Sequence, residues 1–513
     1  HHTAVRPGPH FARSGAVRSA GVASLVALLA SAPYLVHTLS APFFADDWVM
    51  LDRFGVHAPA GLGGYLSPDT VLFWRPLWKL LFHFGYLAFG FHPQGYHALS
   101  VLLHVVAVAC FAGFVRRWTG DGRLALLAAL LAATTWAVVD SVLWISSQAV
   151  LVSTALTWAT LALWVAWLRA PERRWTWLAA AFTFALNLAV RESALVTLPA
   201  LAVVAWWEPG RANSGPGLPA RERVLALCRS LWLPAALALG FVAFFALRVQ
   251  GAAVPGGYGW APLSHWPGAL GTIVSRLALA PLGGAPELTG SQAPAVYTLL
   301  VRALPVAGPL VLLAAILTRA PWSLPASVLT VLFTFPTSLL RLFDQGRYHY
   351  LASQAFAIVM ASLLLRLAGR YVPERLAVSR VRMATAGLLL GLIALGSWGK
   401  LWSLAAADRI RSAPYGALYE LLRDRREALP EGSLVIVAEP AGLPPLGLAE
   451  LARLATGDRT LDAVFPSTRV SDEERRSALS GRRPAFVVHR APSGRLVLSR
   501  LAVPFRGDGA APR

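Results

Sequence analysis

Charge is what this 513-residue chain has least of: Asp, Glu, Lys and Arg make up only 14% of it, against 56% hydrophobic residues and a mean hydropathy of +0.55. So little polar surface excludes a soluble globule of this length, and the solvent for most of the chain is lipid. Lysine is nearly absent, with only Lys79 and Lys400, so almost all of the positive charge is arginine. The arginines lie in short segments between apolar runs, as the positive-inside rule produces, and not in a basic stripe on a water-soluble domain. A nucleic-acid partner is excluded on that ground despite a formal net charge of +20. Cysteine is limited to Cys110, in an apolar run, and Cys228, in a basic loop; this leaves no metal-type spacing and no disulfide framework. A phosphate-binding P-loop, a Gly-rich dinucleotide motif, a coiled coil and an internal repeat are all missing from the sequence. The first apolar run is too long for a cleavable signal and has no cleavage site, so it reads as the first span.

What is present is a succession of apolar runs long enough to cross a bilayer. The basic start (Arg6, Arg13, Arg18) precedes a run ending near Leu39, which places the N-terminus on the cytoplasmic side and residues 42–74 outside. Residues 75–91 read as a short amphipathic or juxtamembrane helix. Spans follow at 95–115, 124–139, 142–167, 175–190, 194–207 and 231–247, with Arg116, Arg117, Arg123, Arg169, Arg173, Arg174, Arg211, Arg221, Arg223 and Arg229 marking the inner side. The apolar stretch 270–282 is short and carries Arg276, which suits a re-entrant or interfacial segment. Runs at 296–317, 324–340, 351–367 and 384–404 complete an all-α polytopic membrane protein of about 11 transmembrane helices, within a range of about 10–13. From residue 405 the composition turns soluble. Helix-like stretches at 415–426 and 446–454 and β-rich ones at 433–437, 485–488 and 496–498 predict a small C-terminal α/β appendage. The expected division is a multi-span domain over 1–404 and a non-cytoplasmic α/β domain over 405–513, in an inner (cytoplasmic) membrane.

Five clusters carry chemistry. In Phe43-Phe44-Ala45-Asp46-Asp47-Trp48 two adjacent carboxylates stand just outside the first span among aromatics. Partial desolvation makes a carboxylate a better base, while a nearby cation keeps it ionised, which suits deprotonation of an acceptor hydroxyl. The same six residues also suit a solvated loop start or a helix N-cap. In the next cluster Arg75, Lys79 and His83 recur at i, i+4, with Trp74 and Trp78 close by, giving a cationic stripe for a phosphate or for lipid headgroups. His97 and His104 are seven apart, separated by about 10 Å of helix rise, too far to share a metal; they read as packed histidines facing the bundle, either of which can touch a substrate. Arg191-Glu192 joins two apolar runs of 16 and 14 residues, too short to cross, so the charges are recessed and either line a cavity or pair with each other. Ser146, Ser147 and Gln148 can face the same recess. Lastly, Arg347, Tyr348 and Tyr350 gather a cation and hydroxyls on the outer side, for phosphate capture or as an ordinary polar loop with an aromatic belt.

Taken in order, Ala45-Asp46-Asp47, Trp74-Arg75-Pro76-Leu77, Phe89-Gly90-Phe91-His92-Pro93 with Gly95-Tyr96-His97, Trp144-Ile145-Ser146, Arg191-Glu192 and Gly346-Arg347-Tyr348 resemble the membrane C-type glycosyltransferases. The likeness is to the protein O-mannosyltransferase branch and its tetratricopeptide-repeat relatives, and runs from about residue 15 to residue 370. Two departures stand out: the short tail replaces the repeats, so the acceptor does not carry over, and Arg191 stands where relatives often carry lysine. The resemblance implies an inverting single displacement on a polyprenyl-phosphate sugar. Asp46 or Asp47 would be the base, with Arg75, Lys79, Arg191, Arg347 and Tyr348 at the donor phosphate. Trp48, Trp74, His83, His97, Gln148, Glu192 and Tyr350 would line the substrate cavity. It implies no cofactor for a monophosphate-linked donor, although members using other donors take a divalent ion; the acceptor would be a protein, lipid or glycan. A flippase or transporter of lipid-linked glycans would share a basic, aromatic-lined cavity but would not need paired carboxylates, and a glycan polymerase or ligase would differ in donor size.

Overall fold

The computed structural model describes residues 21–67, 74–135, 139–208, 220–248, 262–279, 308–320, 322–338, 346–371, 379–437, 447–464, 484–491 and 495–500. Its helices are α1 (Gly21–Ala30), α2 (Ala32–His37), α3 (Asp46–Met50), α4 (Leu62–Leu66), α5 (Pro76–Phe89), α6 (Pro93–Thr119), α7 (Gly122–Thr134), α8 (Asp140–Leu143), α9 (Gln148–Arg169), α10 (Arg174–Val190) and α11 (Thr197–Trp207). They continue as α12 (Ala220–Arg248), α13 (Trp266–Leu279), α14 (Gly308–Leu317), α15 (Ser323–Ser338), α16 (Tyr350–Tyr371), α17 (Ser379–Asp424) and α18 (Leu448–Thr456). Four helical stretches are long and apolar enough to cross a membrane: Pro93–Thr119, Ile145–Arg169, Val224–Leu247 and Arg347–Leu367. Five shorter apolar helices accompany them among the described residues. The start of the 296–317 run lies outside the described residues.

Local chemistry sets the boundaries. Proline at the first turn of α5 and α6 lacks only an N–H that a helix start leaves unpaired anyway. Asp121 accepts the Arg123 and Leu124 N–H groups and caps α7, a contribution of about 1 kcal/mol. The run expected as one span over 142–167 is broken: α8 ends at Leu143, a 3-10 turn covers Ile145–Ser147, and only then does α9 begin. The interruption has a cause in the site, since the Ser146 N–H donates to the Asp47 side chain. The pair at 175–190 and 194–207 is likewise joined through an extended Arg191 and a 3-10 turn, Glu192–Val196.

The bundle core is a wall of aromatics, with Phe111, Phe114, Trp118, Trp158 and Trp164 fully buried among leucine, valine and alanine. Short polar links tie the helices across it: Trp158 Nε1 donates to Gln354 at 2.5 Å, Asn187 to Thr157 at 2.8 Å, and Ser397 to the Thr134 carbonyl at 2.6 Å. In an apolar medium such bonds hold register that greasy surfaces alone would not.

α17 runs unbroken from the last apolar stretch into the C-terminal region, across residues 404 and 405. Beyond it lies a four-stranded sheet of order β2-β1-β3-β4, with β1 (Leu434–Val437), β2 (Asp462–Val464), β3 (Ala485–Arg490) and β4 (Leu496–Arg500). β1 pairs in parallel with β2 and β3, and β4 closes antiparallel on β3. α18 is the crossover between β1 and β2, and Leu448, Leu451 and Ala452 are buried with Phe43, Ala45 and Trp48 of the acidic turn in one core.

Candidate active site

The acidic turn is held by its own backbone. Ala45 has φ 50° and ψ −118°, a conformation that L-residues adopt at a cost of about 1–3 kcal/mol and that the surroundings must maintain. It delivers Asp46 and Asp47 to the first turn of α3, where a π-helical turn, Leu51–Val56, follows.

The two carboxylates then part company. Asp47 is fully buried, and both its oxygens are occupied: Oδ1 accepts the Ser146 N–H at 2.8 Å and the Ser146 hydroxyl at 2.6 Å, and Oδ2 accepts the Phe44 N–H at 3.0 Å. Asp46 is half-buried, with Oδ1 sealed from solvent and making no hydrogen bond. The Trp144 indole is near enough to help its ionisation, yet Trp144 Nε1 also lacks a hydrogen bond of ordinary geometry. Burial pushes the Asp46 carboxyl up to about 6, against the pull of the Arg347 guanidinium. Burial raises Asp47 too, reinforced by the charge of Asp46. One carboxylate is clamped as a structural acceptor; the other is poised beside a cation with an oxygen to spare.

That cation belongs to a group. Arg347, in the 3-10 turn Gly346–His349, lies 4.0 Å from the Trp144 ring centroid and 5.1 Å from that of Tyr348, and it donates to the Tyr348 hydroxyl at 3.3 Å. Arg191 lies 5.3 Å from the same Tyr348 ring, so two guanidiniums pack against one phenol. Arg191 is buried, and its Nε has no hydrogen-bond partner. Arg75 is in a different position, bound through Nε and Nη2 to the two oxygens of Glu192. Glu192 thus takes its hydrogen-bonding partner from 117 residues away, while its neighbour Arg191 feels the Glu192 charge without a hydrogen bond at Nε.

The stripe expected from Arg75, Lys79 and His83 is divided among separate contacts. Lys79 is buried, donates to the Ser67 carbonyl at 2.7 Å and lies 5.5 Å from the Phe54 ring; His83 Nδ1 lies 3.1 Å from the Phe54 carbonyl. Three residues expected along a cavity make contacts that tie segments of the fold together. Gln148 donates to the Tyr96 carbonyl and Ser100 hydroxyl, each at 3.0 Å, His97 Nε2 lies 3.2 Å from the Ala41 carbonyl, and the buried Tyr350 hydroxyl is 2.5 Å from His104 Nδ1. Trp74 donates to the Leu66 carbonyl at 2.7 Å and packs on Phe241 and Phe244 of α12. Trp48 stacks on Tyr419 of α17 at 5.0 Å. A cavity of about 940 Å³ is walled by that pair together with Phe43, Phe91, His92 and Arg409. Among the described residues no three His, Cys, Asp or Glu side chains converge as a metal would need. Trp144, which carries Arg347, and Tyr415, which packs on Phe44, were not predicted as site residues. Trp144 stood in the sequence only as part of the Trp144-Ile145-Ser146 motif, and Tyr415 only as the start of a helix-like stretch in the soluble tail.

The acidic turn and the recessed arginine group thus sit beside the break before α9, in a helical protein with four helices long and apolar enough to cross a membrane among its described residues. Among solved structures it is similar to ArnT from Cupriavidus metallidurans bound to undecaprenyl phosphate, at 12% identity over 91% of this chain and 93% of that one, with a TM-score of 0.51. It is also similar to the Archaeoglobus fulgidus oligosaccharyltransferase AglB in complex with an inhibitory peptide and a dolichol-phosphate, at 11% identity over 94% and 74% of the two chains, with a TM-score of 0.51. The same archaeal oligosaccharyltransferase tethered with an acceptor peptide gives 12% identity, 95% and 75% coverage and a TM-score of 0.50. No family model matches the sequence, and no curated protein matches it.

Proposed function

We propose that this chain is a glycosyltransferase that moves a sugar from a polyprenyl-phosphate carrier to an acceptor hydroxyl, with Asp46 as the general base. The observation that carries this reading is two unfilled valences, a carboxylate oxygen of Asp46 and the Nε of Arg191, both atoms buried and neither hydrogen-bonded, with the charge of Arg347 acting on both residues. A buried acceptor or cationic donor left without a partner is costly unless a ligand completes it. The fold neighbours bound to undecaprenyl phosphate and dolichol-phosphate support a lipid phosphate as that ligand.

The displacement is inverting. Asp46 takes the proton of the acceptor hydroxyl as its oxygen bonds to the anomeric carbon, the bond from that carbon to the carrier phosphate breaks, and the electron pair leaves on the phosphate. Arg347 and Arg191, both packed against Tyr348, receive the developing charge. Because guanidiniums neutralise a monophosphate directly, the reaction runs without a divalent ion. Arg75 and Glu192 hold the turn that presents Arg191. We place the site on the non-cytoplasmic side of the inner membrane, because Arg116, Arg169 and Arg174 gather at the other end of the helices that present it.

The test is sugar transfer by purified protein. A panel of radiolabelled polyprenyl-phosphate sugars is offered with membrane extract as acceptor, to the wild type and to Asp46→Asn and Asp47→Asn. Transfer by the wild type that disappears in Asp46→Asn supports the reaction and the base. No transfer from any donor, with carrier lipid still crossing the bilayer in proteoliposomes, would instead make the chain a flippase.

A further inference from the structure

The C-terminal region meets the acidic turn at one crowded point. The Ala45 carbonyl, on the residue whose positive φ sets up the turn, accepts the Trp48 N–H at 3.3 Å and faces Gly447, the residue before α18. Gly447 itself has φ 80°. A Cβ at Gly447 would lie 2.0 Å from the Ala45 oxygen and 3.4 Å from Trp48 Cβ, so no side chain fits there without moving the turn. On the other flank α17 holds the same residues: Tyr415 meets Phe44 edge-on at 5.3 Å, Arg411 lies 4.5 Å from the Phe44 ring, and Tyr419 stacks on Trp48. Ala45 is strained and sits between two elements that follow it by several hundred residues in sequence. A strained residue persists only where its surroundings over-determine it.

We propose that Gly447 is a positioning residue for Asp46: the space left by its missing side chain lets α18 close onto the Ala45 carbonyl and hold the turn that aims the carboxylate. The inference rests on the reading of Asp46 as the base. It makes the α/β appendage part of what fixes the site, whichever acceptor is used.

The chain supplies its own control. Gly457, at the other end of α18, has φ 78° but nothing within 4 Å of where a Cβ would stand. Gly457→Ala therefore imposes the same backbone strain on α18 without touching Ala45, whereas Gly447→Ala imposes the strain and drives a methyl into the turn. Full-length wild type and both variants are compared by hydrogen exchange of the 42–50 segment and by transfer kinetics with the polyprenyl-phosphate sugar that the wild type uses. The inference expects faster exchange at the Asp47 and Trp48 amides in Gly447→Ala alone. It also expects a fall in kcat of about 10²-fold, the cost of misplacing a reacting group by about 1 Å, with KM for the donor unchanged because Arg347 and Arg191 are not moved. Wild-type exchange and kcat in Gly447→Ala, or an equal loss in Gly457→Ala, would overturn it. Should the wild type transfer nothing, the reading of Asp46 fails, while faster exchange confined to Gly447→Ala still establishes the contact.

Discussion

The two ends of α9 carry the same kinds of residue and treat them differently. At its last residue Arg169 donates to Glu208 at 2.8 Å and to the Trp118 carbonyl at 2.9 Å, and nearby Arg117 donates to the Ala162 carbonyl at 3.0 Å. At the other end, about 33 Å away along a 22-residue helix, Asp46 and Arg191 are buried beside one another's neighbours with hydrogen-bonding atoms left empty. Arginines capped by carbonyls and a carboxylate hold helix ends together. Under the proposed function, the arginines gathered against the Tyr348 ring, with Arg191 Nε left without an acceptor, are the groups that receive the donor phosphate. The contrast separates fold-holding charge from site charge more sharply than any motif does.

Breaking the site end should stop turnover. Asp46→Asn is expected to lower kcat by about 10²–10⁴-fold, the range for a lost general base, with thermal stability in detergent unchanged; an Asp46→Asn protein that still transfers would transfer the role to another group. Next in size, Arg347→Gln and Arg191→Gln should each reduce kcat by about 10²–10³-fold, as for removal of one donor to a transition-state anion, measured on the same donor. At the opposite end Arg169→Gln should leave kcat alone. It should lower stability by about 1–2 kcal/mol, a figure reduced because the Arg169 side chain is 37% exposed over a fully buried Glu208; a thermal melt reads this. The smallest expected effect is none: EDTA in the transfer assay should leave the rate unchanged, and a metal-dependent rate would remove the guanidinium account of the leaving phosphate.

The helices and the site charges were legible for one physical reason, that ionised groups in apolar sequence stand out. Asp46, Asp47, Arg191 and Arg347 announce themselves this way, and the apolar runs at 95–115, 175–190 and 351–367 gave α6, α10 and α16 to within a few residues. Partnerships were not legible. Glu192 finds Arg75 and not Arg191, and the stripe of Arg75, Lys79 and His83 is real as a helical spacing but is shared out among Glu192, Ser67 and Phe54 by tertiary contacts. The break before α9 was missed because its cause, the Asp47 carboxylate, lies 99 residues away. His97, Gln148 and Tyr350 look like cavity polars in sequence, since a side chain that will bond to another helix and one that will bond to a ligand have the same composition. The role of Gly447 needs the strained Ala45 to be seen beside it.

The measurement closest to the central claim is the pH dependence of kcat/KM in the wild type and in Arg347→Gln. A base must be ionised to work, and burial raises the Asp46 carboxyl to about 6, so the rate should hold above that pH and fall below it. Arg347 favours the ionised form, so its loss should move the acid limb to higher pH. An acid limb near 6 that shifts upward in Arg347→Gln is the predicted result; a limb near 4, or one that Arg347→Gln leaves in place, would contradict Asp46 as the base.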